Sequence, residues 1–276
     1  MSRMITYVEK DCFIHSLSGL TKLVFFLLWT VTSMLTYDTR VLLIMLVLSL
    51  IVFALSKTDW KEVRGIFRFI MVFLVINVIA IFIFSPYEGC RIYGSRTELC
   101  HIAGNYSFTL EQIFYEANVM LKYFTIVPSV FMFITSTNPS EFASALNRLH
   151  LPYTVCYSVA IALRYIPDVQ TDFNRIKNAQ EARGIEMSSK ANVFSRLKNM
   201  SAILFPLIFT SMERIDSVST AMELRGFGKY KKRTWYSAKK LRAGDFIIIC
   251  LTVLFCAAAL VFTFYDGSRF YYPFKA

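Results

Sequence analysis

The chain has 276 residues, is 55% hydrophobic with only 18% charged residues, and carries a formal net charge of +11. That apolar share exceeds the range of ordinary soluble domains, and several runs are apolar all round instead of striped, which disfavours a large soluble helical core and points to an integral membrane protein. The basic balance suits anionic lipid headgroups or an acidic protein partner; no nucleic-acid recognition motif accompanies it.

Five apolar runs are predicted to form helices, at residues 20–35, 41–55, 69–84, 119–134 and 246–264. The last is long enough to cross a bilayer upright, and the other four sit near the lower limit of about 17 residues. Flanking Tyr, Thr and Lys residues can supply the missing turn by snorkelling. Residues 1–19 are polar and mixed in charge, without the basic start, short apolar core and small-residue cleavage site of a signal peptide, so the first helix is expected to stay in the mature protein. Residues 37–40 read as a tight turn and 57–68 as a basic link. The loop 85–118 holds Pro86, Gly89, Gly94, Gly104 and Asn105. It reads as turns followed by a short helix from Thr109, with Thr109 as cap and Gln112 three residues on.

Residues 138–242 hold seventeen Lys or Arg against eight Asp or Glu. Positive segments stay cytoplasmic, which places this segment, the 57–68 link and the amino terminus inside, and the 37–40 turn, the 85–118 loop and the carboxyl terminus outside. The inner segment opens at Asn138-Pro139, with Ser140 as the expected cap of a short amphipathic helix whose Phe142, Leu146 and Leu149 share a face. Leu151-Pro152 breaks it. A long helix follows, with Ile161, Tyr165, Val169, Phe173 and Ile176 at steps of three and four and a kink expected at Pro167. It stops at Arg183-Gly184 and gives way to a polar linker at 188–192. A third helix repeats the plan through Pro206, Ile208, Met212, Ile215, Val218 and Met222 to Arg225-Gly226, before a basic tract at 229–242. Residues 155–163 and 202–209 are too short to span and are expected to pack against one another or lie in the membrane interface. The organisation is then an N-terminal membrane domain (1–137), a cytoplasmic coupling-helix domain (138–230), and a basic linker with a C-terminal transmembrane helix (231–276).

The six cysteines form no metal pattern. Cys156, Cys250 and Cys256 read as small hydrophobes and Cys12 is isolated. Cys90 and Cys100 share the outer loop, either as a disulfide or as two thiols. His15, His101 and His150 lack ligand partners at helical spacing.

The two helix ends repeat a motif 42 positions apart: AQEARGI and AMELRGF. Ala179, Glu181, Arg183, Gly184 and Ile185 align with Ala221, Glu223, Arg225, Gly226 and Phe227. Arginine in a last helical turn faces the partly negative end, and glycine lets the chain turn sharply. The arginine then stands at a tip, where its planar fork grips carboxylates or carbonyls in a fixed orientation. The plain alternative is two helix caps with solvated arginines. Two copies with Ala and Glu matched favour a pair of docking tips and a partner with two sockets.

On these residues the chain resembles the T component of energy-coupling factor (ECF) transporters, the membrane subunit of cobalt, biotin and vitamin importers. That family carries an Ala-Arg-Gly motif at the ends of two cytoplasmic coupling helices. Here the first is Ala182-Arg183-Gly184, and the second departs as Leu224-Arg225-Gly226. The Asn-Pro-Ser-Glu start, the Leu-Pro break and the Ala-Leu-Arg-Tyr-Ile-Pro run within 135–184 extend the resemblance. It implies an all-α integral membrane protein with about five transmembrane helices and long coupling helices ending in Arg-Gly tips, in a prokaryotic cytoplasmic membrane. It also implies that each tip docks one of two ABC-type ATPase subunits through Arg183 or Arg225, shaped by Gly184 or Gly226, with Glu181 and Glu223 in support. A membrane S component would bind the vitamin or other micronutrient, gripped by the apolar faces of the coupling helices and first crossings. ATP and Mg would belong to the ATPases, because the chain has no G-x-x-x-x-G-K-[ST] phosphate loop and no nucleophile–base constellation; no cofactor or metal is expected on the chain. Two alternatives compete. An integral membrane enzyme acting on a lipid-linked substrate would draw on Asp168 and Asp172, which are equally able to be solvated or to pair with Arg164 and Arg175. A conventional ABC importer permease predicts one docking loop per chain.

Overall fold

The structure, a computed structural model, describes residues 12–103, 106–184, 193–230, 234–236, 238–265 and 270–271. The chain divides into two compact units, residues 1–145 with 238–276, and residues 146–237. The first contains α1 (Phe13–Ser16), α2 (Gly19–Leu35), α3 (Thr39–Leu55), α4 (Trp60–Phe84), α5 (Glu88–Tyr93), β1 (Glu98–Ala103), β2 (Tyr106–Thr109) and α6 (Leu110–Ser136). After α7 (Pro139–Arg148), the second contains α8 (Tyr153–Ala182) and α9 (Val193–Leu224); α10 (Ala243–Phe264) belongs to the first.

All five apolar runs are helices. The segments Val63–Phe84, Leu110–Ser136 and Ala243–Phe264 are long and apolar enough to cross a membrane, while α2 and α3 have 17 residues each. The molecule is an all-α membrane protein with one small hairpin. Two helices exceed the expected length because the chain continues helical into polar flanks. In particular, the short outer helix expected from Thr109 is not separate: α6 is one helix of 27 residues that includes the fourth run. Thr109 is its cap, accepting from the Gln112 amide as its position predicts. The β1–β2 antiparallel pair within residues 85–118 was not expected. Its pairing is irregular, with register shifts at both ends, so it leaves no clean period-two signal in sequence. Glu111, buried at the start of α6, ties the loop down by accepting from the Thr97 amide and hydroxyl and the Ser95 hydroxyl at 2.9–3.1 Å. Cys90 is a free thiol that donates to Thr109 Oγ1 at 3.2 Å; the Cys100 side chain lies outside the described residues.

The core of the first unit joins Trp29, Val41, Met45, Cys256 and Ala259 from α2, α3 and α10. Trp29 stacks between Phe25 and Phe255, at 5.1 and 5.5 Å between centroids. α2 and α6 run antiparallel, with Phe26 stacked on Phe133. Each gives the other a buried lysine: Lys22 Nζ donates to the Ser136 carbonyl at 2.7 Å, and Lys122 Nζ to the Met34 carbonyl at 2.9 Å. Both carbonyls lie in last helical turns, where the backbone has no partner of its own and the dipole favours a cation. By contrast, α4 keeps Phe69, Val72, Phe73, Val75 and Ile76 more than half exposed, an apolar surface of the kind that lipid or another membrane helix covers.

The short inner helix differs from expectation in two ways. Its cap is Asn138, not Ser140: Asn138 Oδ1 accepts from the Ser140 amide at 3.1 Å and its carbonyl accepts from Phe142 at 2.9 Å. Pro139 then takes the first helical position, where a missing N–H costs nothing. The buried face is Glu141, Ala143, Ser144 and Ala145, while Leu149 is exposed, because small residues permit close backbone approach and Glu141 has charged partners. In the second unit, α8 continues unbroken through Pro167 and α9 through Pro206. A threonine four residues on donates to each proline carbonyl.

Candidate functional site

Both Arg-Gly ends are described, and both are helix stops set by local sequence. At the first, Gly184 has φ +86° and its amide donates to the Glu181 carbonyl at 3.0 Å. At the second, Gly226 has φ +67° and donates to Glu223 at 2.9 Å, while the Phe227 amide donates to Met222 at 2.9 Å. The second is a full Schellman motif. The first shares its inner hydrogen bond; the linker at 188–192 and Ile185 lie outside the described residues. Positive φ costs a residue with a side chain roughly 1–2 kcal/mol, which is why glycine stands at both stops. Glu181 and Glu223 thus each offer a backbone carbonyl to the stop, and the Glu181 carboxylate lies 3.8 Å from Lys177. Ala182, Arg183, Leu224 and Arg225 are all exposed, Leu224 by 85%.

α8 and α9 lie antiparallel. Gln180 Nε2 donates to the Ala202 carbonyl at 3.2 Å, Arg214 pairs with Asp172 at 2.7 Å, and Tyr157 packs on Phe227 at 5.0 Å. Of the two expectations for 155–163 and 202–209, this register excludes their packing on one another. The apolar start of each helix lies beside the Arg-Gly end of the other. The two tips therefore stand at opposite ends of the helix pair, separated by about 45 Å for a 30-residue helix rising 1.5 Å per residue.

The carboxylates that an enzyme would need are engaged. Arg175 pairs with Asp172 at 3.8 Å, as helical spacing predicts, but the shorter contact comes from Arg214 on α9, which also lies 3.9 Å from Asp168. That cross-helix partner had no local signal. Among the described residues no group of three His, Cys, Asp or Glu is placed to hold a metal. Cys156 is fully buried, and burial pushes its thiol pKa up, which keeps it protonated.

Sequence reasoning missed an aromatic cluster at the second tip. Phe227 packs on Tyr153 at 5.8 Å and on Tyr157, and Trp235 packs on both tyrosines at 5.4 and 6.2 Å. Trp235 Nε1 donates to Asn147 Oδ1 at 3.0 Å. Beside it lies an open cleft of about 370 Å³ lined by Ile161, Arg164, Tyr165, Met222 and Arg225. One signal was available: the residue after a Schellman glycine commonly makes an apolar contact, and that residue is Phe227.

Comparison with known proteins agrees with this architecture. The chain is 27% identical over 271 residues to an energy-coupling factor transporter transmembrane protein EcfT of Staphylococcus aureus, covering 95% of this chain and 96% of the relative. It is also 27% identical to EcfT proteins of Clostridium kluyveri, covering 92% of this chain and 94% of the relative, and of Bacillus selenitireducens, covering 95% and 97%. The family profile described as cobalt transport protein, CbiQ, matches residues 10–236, from before the first apolar helix to beyond the second Arg-Gly end. The chain belongs to the CbiQ cobalt transport protein family.

Proposed function

We propose that the chain is the transmembrane energy-coupling subunit of an ECF-type importer in a prokaryotic cytoplasmic membrane. The observation that carries this reading is the pair of Arg-Gly tips at opposite ends of one antiparallel helix pair. One tip could serve any docking contact, whereas two like tips held about 45 Å apart suit two separate sockets. The relatives' names as energy-coupling factor transporter transmembrane proteins support it. Arg183 and Arg225 are the docking ions of two ABC-type ATPase subunits, with Ala182 or Leu224 beside them and Gly184 or Gly226 setting each turn. Residues 138–230 form the cytoplasmic coupling domain. ATP and its Mg are bound and hydrolysed by the ATPases, and this chain is not itself an enzyme. ATP-driven closure of the pair moves the coupling helices, and that motion reaches an S component that releases a vitamin or other micronutrient inward. The pairing of Asp168 and Asp172 with Arg214 weighs against the enzyme alternative.

The test is affinity co-purification with the ATPases of the same genome, comparing wild type with Arg183→Ala plus Arg225→Ala at matched membrane levels. Wild type is expected to retain ATPase and the double variant to lose it. Retention by both, or by neither, contradicts the reading.

A further inference from the structure

Among the described residues of 138–242, the glutamate of the Asn138-Pro139-Ser140-Glu141 motif is the most enclosed acid. The Glu141 side chain is 4% exposed. Lys239 Nζ lies 3.0 Å from Oε1, and Lys22 Nζ 3.9 Å from Oε2. The backbone is equally close, since a Cβ on Gly19 would sit 2.9 Å from the Glu141 carbonyl oxygen. Lys239 also donates to the His15 carbonyl at 2.7 Å. Nearby, Asp245 caps α10 and accepts from the Ser18 amide at 2.9 Å and the Thr21 hydroxyl at 2.7 Å. A buried carboxylate is tolerated only with partners, so Glu141 is held where its two lysines are.

The position of this pair in the chain matters as much as its burial. The polypeptide leaves the first unit after Ala145 and returns to it at Ala238. Glu141 lies just before the exit and Lys239 just after the return. Their ion pair ties the outgoing strand to the incoming one inside the first unit. Both connections to the second unit, the one that bears the Arg-Gly tips, pass through this knot.

We infer that the Glu141–Lys239 ion pair is a coupling clamp: by fastening both strands that carry the tip-bearing unit, it makes that unit move as one body against the membrane helices. The inference rests on the transporter reading for the force transmitted. Both are positioning residues; neither touches a transported substrate. The pair resists rotation of one strand past the other, which two unlinked strands would allow.

Lys239 is the side to change. Its side chain is 41% exposed, so Lys239→Met opens no cavity, and Glu141 keeps Lys22. Nitroxide labels at Leu50→Cys on α3 and Ile215→Cys on α9, both exposed, report between the units by pulsed electron paramagnetic resonance. The chain carries alanine at its six natural cysteines and sits in lipid nanodiscs with its ATPase pair. A control pair, Val169→Cys with Ile215→Cys, reports within the second unit. The clamp predicts that Lys239→Met broadens the inter-unit distance distribution about twofold while the control pair keeps its width and the ATPases are retained. Lys239→Arg, which keeps the charge, should restore the narrow distribution. An unchanged width in Lys239→Met overturns the clamp, as does equal broadening in Lys239→Arg. Broadening of the control pair would make Lys239 a folding element and overturn it too. Absence of ATPase from the wild type sinks the transporter reading, and the transmitted force with it, and is scored separately on the same samples.

Discussion

The two Arg-Gly ends share a helix stop and differ in the side chains described around it. Both stop a long helix with a left-handed glycine, and the glycine-to-glutamate hydrogen bonds are 3.0 and 2.9 Å. At the first end, Ala182 and Arg183 are exposed and the nearby Lys177–Glu181 pair is a surface contact, worth little on its own. At the second, Phe227 is seated on Tyr153 and Tyr157, Trp235 closes over the tyrosines, and Leu224 projects with 85% of its surface open. The stop is thus a local property that a few residues repeat, whereas the seat is a tertiary property, seen among the described residues at the second end. A docking tip needs both exposure and rigidity. The second end is packed against aromatic rings, and its Leu224 stands exposed where the first end has Ala182.

Substitutions can sharpen this contrast. The largest effect is expected from Phe227→Ala, which removes the seat. Its cost should be about 2–3 kcal/mol, at or below that of a fully buried Phe, and should appear as faster amide exchange at Gly226 with Gly184 unaffected. Equal exchange at both ends would dissolve the distinction. Next, Gly184→Ala and Gly226→Ala should each destabilise by about 1–2 kcal/mol through the left-handed backbone. Thermal unfolding of the detergent-solubilised chain measures this, and similar losses at the two ends would show that the stop is shared even though the seat is not. Leu224→Ala should leave stability within about 0.5 kcal/mol, as expected for a surface change, while weakening ATPase binding in a titration by roughly fivefold, about 1 kcal/mol. No change in binding would mean that the leucine is passive. The smallest effect belongs to Asp172→Asn, which removes the charge that Arg214 meets at 2.7 Å and leaves its 3.9 Å contact with Asp168 and its position over the Tyr165 ring. For a partly exposed pair, the loss should be about 0.5 kcal/mol and should shrink in high salt.

How much was legible in the sequence follows the same division. The five apolar helices, the Thr109 cap and the two glycine stops rest on hydrophobicity and local hydrogen bonding, and each is visible within a window of a few residues. The register of α8 against α9 is not, because both helices carry apolar residues along most of their length and several registers bury similar amounts. It is fixed by Arg214 with Asp172 and by Gln180 with the Ala202 carbonyl, contacts between residues 42 and 22 positions apart. The Glu141–Lys239 contact was equally hidden, because the whole second unit separates the two residues in sequence. Asn138 displaced Ser140 as the cap because proline at the first helical position fixes the start two residues earlier.

The central claim is that each Arg-Gly end holds one ATPase subunit. Native mass spectrometry of the chain purified with its ATPases, without nucleotide, tests it most directly by counting bound subunits in wild type, Arg183→Ala, Arg225→Ala and the double variant. The account predicts two subunits on wild type, one on each single variant and none on the double. Two subunits on both single variants, or any subunit held by the double variant, would contradict it.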